Sequence, residues 1–205
     1  MPASFVNEIA ELTGEHVVLV AVALAAASFI GIPTGIWLTR KEAWRGVVLG
    51  FTNVVQTIPS LALFGFLIPL PFIGGIGKRT AIVALVLYAL LPILRNTLTG
   101  ILGVDPAVVE SAVAMGMTSR QRLFKVELPL AAPTILAGLR VATVTTIGTA
   151  TVAAAIGGGG LGVFIFRGLA SVDASQILAG AVPAALLALA ADGGLGWIER
   201  RVARI

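Results

Sequence analysis

Between two long apolar blocks, residues 105–129 concentrate the polar chemistry of the chain: Asp105, Glu110, Arg120, Gln121, Arg122, Lys125 and Glu127. Nothing in that set pairs a nucleophile with a base. A single histidine and the absence of cysteine also remove thiolate catalysis, disulfides and Cys/His metal clusters, so no catalytic or metal-binding residue is expected. What these residues can do is shape helix ends and make charged contacts. Asp105 before Pro106 predicts a helix start, because a carboxylate accepts from free backbone N–H groups and proline suits the first helical position. Gly116 is expected to close that helix. Thr118 and Gln121 have the spacing of a capping box, Thr-x-x-Gln, opening a second short helix that carries Arg120, Arg122 and Lys125 into Leu128-Pro129. The expected product is a helical hairpin too polar for lipid, suited to receive force from another protein.

The elements that must hold this hairpin are apolar. Hydrophobic residues make up 58% and charged residues 12% of 205, and the mean hydropathy is +1.02. A soluble domain would carry about 25% charged residues. Long apolar blocks, without period-two alternation, predict membrane-spanning helices and argue against an outer-membrane barrel. Five are expected, near residues 17–38, 47–70, 80–101, 130–156 and 177–198. The predicted class is an all-α membrane protein, with residues 1–205 forming a single transmembrane domain. The residues ahead of the first span contain Glu8, Glu11 and Glu15 but no Lys or Arg. That span therefore lacks the basic flank of a cleavable signal and is expected to stay as an anchor.

Orientation follows from basic residues in the connections. Arg40, Lys41 and Arg45 follow the first span, Arg120, Arg122 and Lys125 the third, and Arg200, Arg201 and Arg204 the fifth. Lys78, Arg79 and Arg167 lie on the other side, so the bias of nine to three predicts an external N-terminus and a cytoplasmic hairpin and C-terminus. A pI near 10.3 does not imply nucleic-acid binding, because the basic residues flank spans and do not cluster with aromatics.

Polar residues inside the spans are candidates for a solute path. Asn53, Gln56, Thr57, Pro59 and Ser60 interrupt the second span, and such groups need either a neighbouring helix or water. Pro92, Arg95 and Asn96 sit near the inner end of the third. Arg95 is expected either to reach the interface or to pair with Glu110. The fourth span bears Thr143, Thr145, Thr146, Thr149 and Thr151 among small residues, a pattern for close helix packing first and a polar wall second. Thr146 and Thr149 are the path candidates there. Four glycines at 157–160 force a turn, and with the apolar stretch to Arg167 they form a candidate external gate or an interfacial loop.

The hairpin resembles the EAA motif of permeases in bacterial ATP-binding-cassette (ABC) importers. Glu110-Ser111-Ala112 is followed by Gly116, nine residues and Val126-Glu127-Leu128-Pro129, with Ser111 and Val126 departing conservatively from the motif's alanine and isoleucine. Three further stretches are similar to the osmoprotectant, or quaternary-amine, branch: Gln56 to Ala62, Tyr88 to Asn96, and Ile156 to Gly168. The resemblance implies the type I importer permease (MetI-like) fold in a bacterial plasma or inner membrane. It further implies coupling through Glu110, Ser111, Ala112, Gly116, Val126, Leu128 and Pro129 to two cytoplasmic ABC ATPase subunits. A second permease, identical or homologous, and an extracytoplasmic solute-binding protein complete the implied assembly. ATP and Mg would be bound by the partner ATPases, since this chain has no Gly-x-x-x-x-Gly-Lys-Ser/Thr phosphate loop. The implied cargo is glycine betaine, carnitine or choline. Alternatives are an ABC permease for another small solute such as an amino acid, an ion-driven secondary transporter, and a scaffold that moves nothing. Almost no acid lies inside the spans, which weighs against ion coupling. With three Trp and one Tyr the chain is poorly equipped for an aromatic cage, so selectivity is expected mainly in the binding protein.

Overall fold

The computed structural model describes residues 3–203, with side chains from Phe5. Nine α-helices appear among them: α1 Ala3–Arg40, α2 Glu42–Thr57, α3 Ser60–Leu67, α4 Lys78–Leu102, α5 Pro106–Ala114, α6 Ser119–Arg122, α7 Leu128–Val152, α8 Gly162–Ser171 and α9 Ala174–Val202. By length and apolarity, four helical stretches can cross a membrane: Phe5–Arg40, Lys78–Leu102, Ser119–Ile156 and Ala174–Val202. A fifth crossing is available only if α2 and α3 are counted together, and these meet at a bend of 106°.

That bend corrects the expectation of a continuous second span. Proline lacks an N–H and pushes the residue before it out of the helical region, so Ile58 adopts φ −72°, ψ 127° and the chain turns at Pro59. Residues from α4 brace the break. The Tyr88 hydroxyl donates to the Ile58 carbonyl, and Gln56 donates to the Tyr88 carbonyl at 2.9 Å. A second difference lies at the start of the chain, where α1 begins well before residue 17. Two of the acids there pair with cations from distant elements: Glu8 accepts from Arg167 at 2.8 Å and Glu15 from Lys78 at 2.6 Å.

Helix α4 is the axis of the bundle, packed between α1 on one side and α7 on the other. A close approach of α7 is made possible by Gly138, where a Cβ would stand 2.4 Å from the Asn96 Cβ. The main apolar core joins Leu19 and Ala23 of α1, Phe64 of α3, Leu85 of α4 and Ile147 of α7. This core lies in the half remote from the hairpin. Thr143 and Thr149 of α7 close their hydroxyls onto their own helix, at the Leu139 and Thr145 carbonyls, which lets them sit in an apolar setting. The basic ends Arg40 of α1 and Arg200 and Arg201 of α9 share one end of the bundle with the hairpin, whereas Lys78, the 157–160 turn and Arg167 share the other.

Candidate functional site

The hairpin is built from local capping. Asp105 accepts from the Ala107 N–H at 2.8 Å and opens α5 with Pro106 at its first position. At the far end the Met117 N–H returns to the Ala112 carbonyl and the Gly116 N–H to the Val113 carbonyl, a pair of bonds that needs a left-handed residue. Gly116 supplies it, with φ +77°. Thr118 and Gln121 then cap α6 reciprocally, at 2.8 and 3.3 Å. Of the motif residues, Ala112 is buried on α5, which packs on α6 and the turn that follows it, while Glu110, Ser111, Gly116 and Pro129 are exposed. Val126 and Leu128 are half-buried. Ser111 spends its hydroxyl on the Ala107 carbonyl.

What ties the hairpin to the bundle is Glu127. The residue is almost wholly buried, at 4% exposure, and its carboxylate accepts from Arg40 of α1 at 2.7 Å and from Arg122 of α6 at 2.8 Å. Two charge-assisted bonds from different elements fix the angle at which α6 meets α1. The carboxylate sits in a turn of π-helix, Leu123–Glu127, through which the hairpin runs without interruption into α7. Glu110 makes no ion pair among the described residues. It faces a cleft of about 290 Å³ beside Arg40, Arg122 and Glu127. Arg95 does not reach it, and instead donates to Asn53 of α2 at 2.9 Å. The sequence pattern missed the Glu127 clasp because Arg40 and Glu127 are 87 residues apart. Its only local sign was a carboxylate placed between Val126 and Leu128.

The path candidates separate into two groups. Asn53, Gln56, Thr57, Pro59 and Ser60 gather at the α2–α3 break, with Gln56, Thr57 and Pro59 exposed and Asn53 and Ser60 half-buried. Asn96 turns away from them and donates to the Pro92 carbonyl of its own helix. Thr146 is buried on α7 with no partner for its hydroxyl among the described residues, and Thr149 is half-buried. The structure therefore brings together the five residues of the break, joined by Arg95, and leaves Asn96, Thr146 and Thr149 elsewhere.

At the opposite end the 157–160 turn uses positive φ at Gly157, Gly159 and Gly160 and leads directly into α8. Glu15 holds this turn by accepting from the Gly160 N–H at 3.2 Å, and the Arg167 guanidinium lies 5.7 Å from the Phe164 ring centre. Asp173 caps α9. Its carboxyl is held below the ordinary aspartate value by bonds from the Ser175 hydroxyl, the Gln176 amide and the Ser175 N–H.

Residues 31–204 match the family described as the inner membrane component of binding-protein-dependent transport systems. The chain belongs to that family. It is thus a multi-pass permease component of an inner membrane. Among curated relatives, it is 47% identical to the glycine betaine/carnitine/choline transport system permease protein OpuCB of Bacillus subtilis, over 96% of this chain and 89% of the relative. The osmoprotectant import permease protein OsmW of Salmonella typhimurium is 43% identical over 95% of this chain and 89% of the relative. Among solved structures, an inward-facing crystal form of the MetNI methionine ABC transporter superposes with a TM-score of 0.88 at 25% identity, covering 98% of this chain and 99% of that one. The expected type I importer permease fold is the observed one.

Proposed function

We propose that this permease carries small quaternary-amine osmoprotectants, such as glycine betaine, carnitine or choline, into the cell as the membrane half of an ATP-driven importer. The reading of an amino-acid cargo has less support, because the relatives named above are permeases for glycine betaine, carnitine, choline or osmoprotectants, at 43–47% identity over most of both chains. The observation that carries the mechanism is the exposed, fully capped hairpin tied to α1 by a buried carboxylate and continuous with α7.

A lever needs a rigid arm, a fixed elbow and a load. The α5–α6 arm is stiffened by caps at each helix start, the elbow is set by Gly116 and the Glu127 clasp, and the load is α7. Closure of two ATPase subunits around bound ATP and Mg would push on the hairpin and turn α7 against α4. Glu110, Ser111, Gly116, Val126, Leu128 and Pro129 present the docking surface, with Ala112 buried inside the hairpin. A cytoplasmic hairpin and C-terminus with an external N-terminus follow from the basic residues at the hairpin end. The exposed polar break at Asn53, Gln56, Thr57, Pro59 and Ser60 is the solute path, shared with a second permease, because irregular backbone at membrane depth is tolerated only against protein or water. An external binding protein would deliver the solute to the end that carries the 157–160 turn.

Purifying the assembled complex and identifying its chains tests this reading. Two copies of an ATPase and an extracytoplasmic binding protein that takes glycine betaine, carnitine or choline are expected. Solute uptake by the isolated chain without a nucleotide-hydrolysing partner would refute it.

A further inference from the structure

Three charged groups meet on α7 and α9: Arg140 and Asp192 lie inside the apolar lengths of their helices, and Glu199 lies in the last turns of α9. Arg140 lies twelve residues into α7 from Leu128, about 18 Å along the helix. It donates through Nε and Nη2 to both oxygens of Asp192, at 2.6 and 2.7 Å, and through Nη1 to Glu199 at 3.4 Å. Asp192, Gly196 and Glu199 recur at helical spacing, so they share one face of α9. Gly196 completes the seat. A Cβ there would come within 3.1 Å of the guanidinium carbon, so the flat guanidinium lies against bare backbone between the two acids.

The rest of α9 is lightly held. Its apolar window is 11% buried, against 56% for α4, and it packs on α7 and α8 while barely meeting α1. Its buried residues are small: Gly180, Ala184 and Gly196. Apolar burial therefore does little to fix the rotation of the hairpin half of α9. A bidentate guanidinium–carboxylate pair does, because both bonds must stay coplanar and the helix cannot roll without breaking one. On the other side of the clasp, α7 is the direct continuation of the hairpin.

We infer that Arg140 is a positioning residue, clasping Asp192 and Glu199 so that α9 turns with α7 when the hairpin is pushed. This inference rests on the lever reading above and extends it to the last span. The clasp is directional, and its role is separable from stability: Arg140 and Asp192 are a third to two-fifths exposed, and ion pairs that open to solvent add little to the stability of a fold. Two variants of the complete complex, with its ATPase and binding protein, test it. The first is Arg140→Met with Asp192→Leu and Glu199→Gln, which keeps packing and removes direction. The second is Asp192→Asn, which keeps shape and removes the charge that anchors the pair.

Both variants are expected to assemble and keep basal ATP hydrolysis. Stimulation by solute-loaded binding protein should fall at least tenfold, with more ATP consumed per solute moved. Restoration of Arg140 and Asp192 together, with Gln retained at 199, should recover most of the stimulation. Wild-type stimulation in either variant overturns the clasp while leaving the lever reading intact, since the ATPase is still present and responding. Loss of assembly in both variants, which marks a merely structural pair, also overturns it. A wild-type preparation without any ATPase overturns the clasp and the lever together.

Discussion

Replacing Glu127 by Gln isolates the elbow of the hairpin. The substitution keeps size and removes the charge that two guanidinium groups share. A hydrogen bond to a charged group contributes about 1.5–3 kcal/mol. The Arg122 bond keeps most of that value, because its side chain is only 17% exposed. Arg40 is 42% exposed, so solvent screening reduces its bond to below about 1 kcal/mol. The loss is therefore about 2–3 kcal/mol, which raises the equilibrium for local opening roughly 30- to 150-fold. It should be local, since the main core lies in the other half of the bundle. Amide hydrogen exchange of the chain in lipid discs measures it directly. Faster exchange is expected across α6 and the π turn, with no change in α4. Unaltered exchange in Leu123–Glu127 would show that the buried carboxylate does not hold the hairpin, and the elbow argument would fail.

Three further outcomes are expected. Gly116→Pro, which cannot adopt φ +77°, and Glu110→Arg should both leave membrane insertion intact and abolish solute-stimulated ATP turnover in the complex. Gly138→Ala should cost about 1–3 kcal/mol, because the new methyl meets Asn96 and the Pro92 carbonyl where α7 crosses α4; a lowered midpoint in thermal unfolding checks it. Asp173 has its folded pKa below the ordinary value of 3.8, so its cap is fully present above that value and is lost as pH falls through the depressed one. Protection of the Ser175 amide, taken relative to its intrinsic exchange rate at each pH, should fall only under that acid condition, and Asp173→Asn should make that protection independent of pH.

Much of the architecture was legible because it depends on local pattern. The third span, expected at 80–101, is Lys78–Leu102, since its apolar run is bounded by charge at the start and Gly103 at the end. Asp105, Gly116, Thr118 and Gln121 act as their types and spacing predict. The second span reads as one helix over residues 47–70, because proline is tolerated inside membrane helices; the full break at Pro59 is braced by Tyr88, thirty residues beyond Ile58, a contact with no local sign. The early start of α1 was also hidden, because Glu8 and Glu15 look unsuited to a span until Arg167 and Lys78 come into reach. Distance along the chain likewise separates Arg140 from Asp192 and hides their pairing. An ion pair between residues 52 apart has no signature along the chain.

The π turn at Leu123–Glu127 has a consequence for every residue after it. A π turn holds one residue more than an α turn, so it advances the downstream helix around its axis by about 100° relative to an uninterrupted α-helix. Deleting a single residue there would leave each membrane segment as greasy and as long as before. Yet Arg140 would swing off its seat on α9 and Gly138 off its crossing with α4. The insertion thus works as a phase setting: a one-residue change, invisible to hydropathy, decides which side of α7 looks at which neighbour.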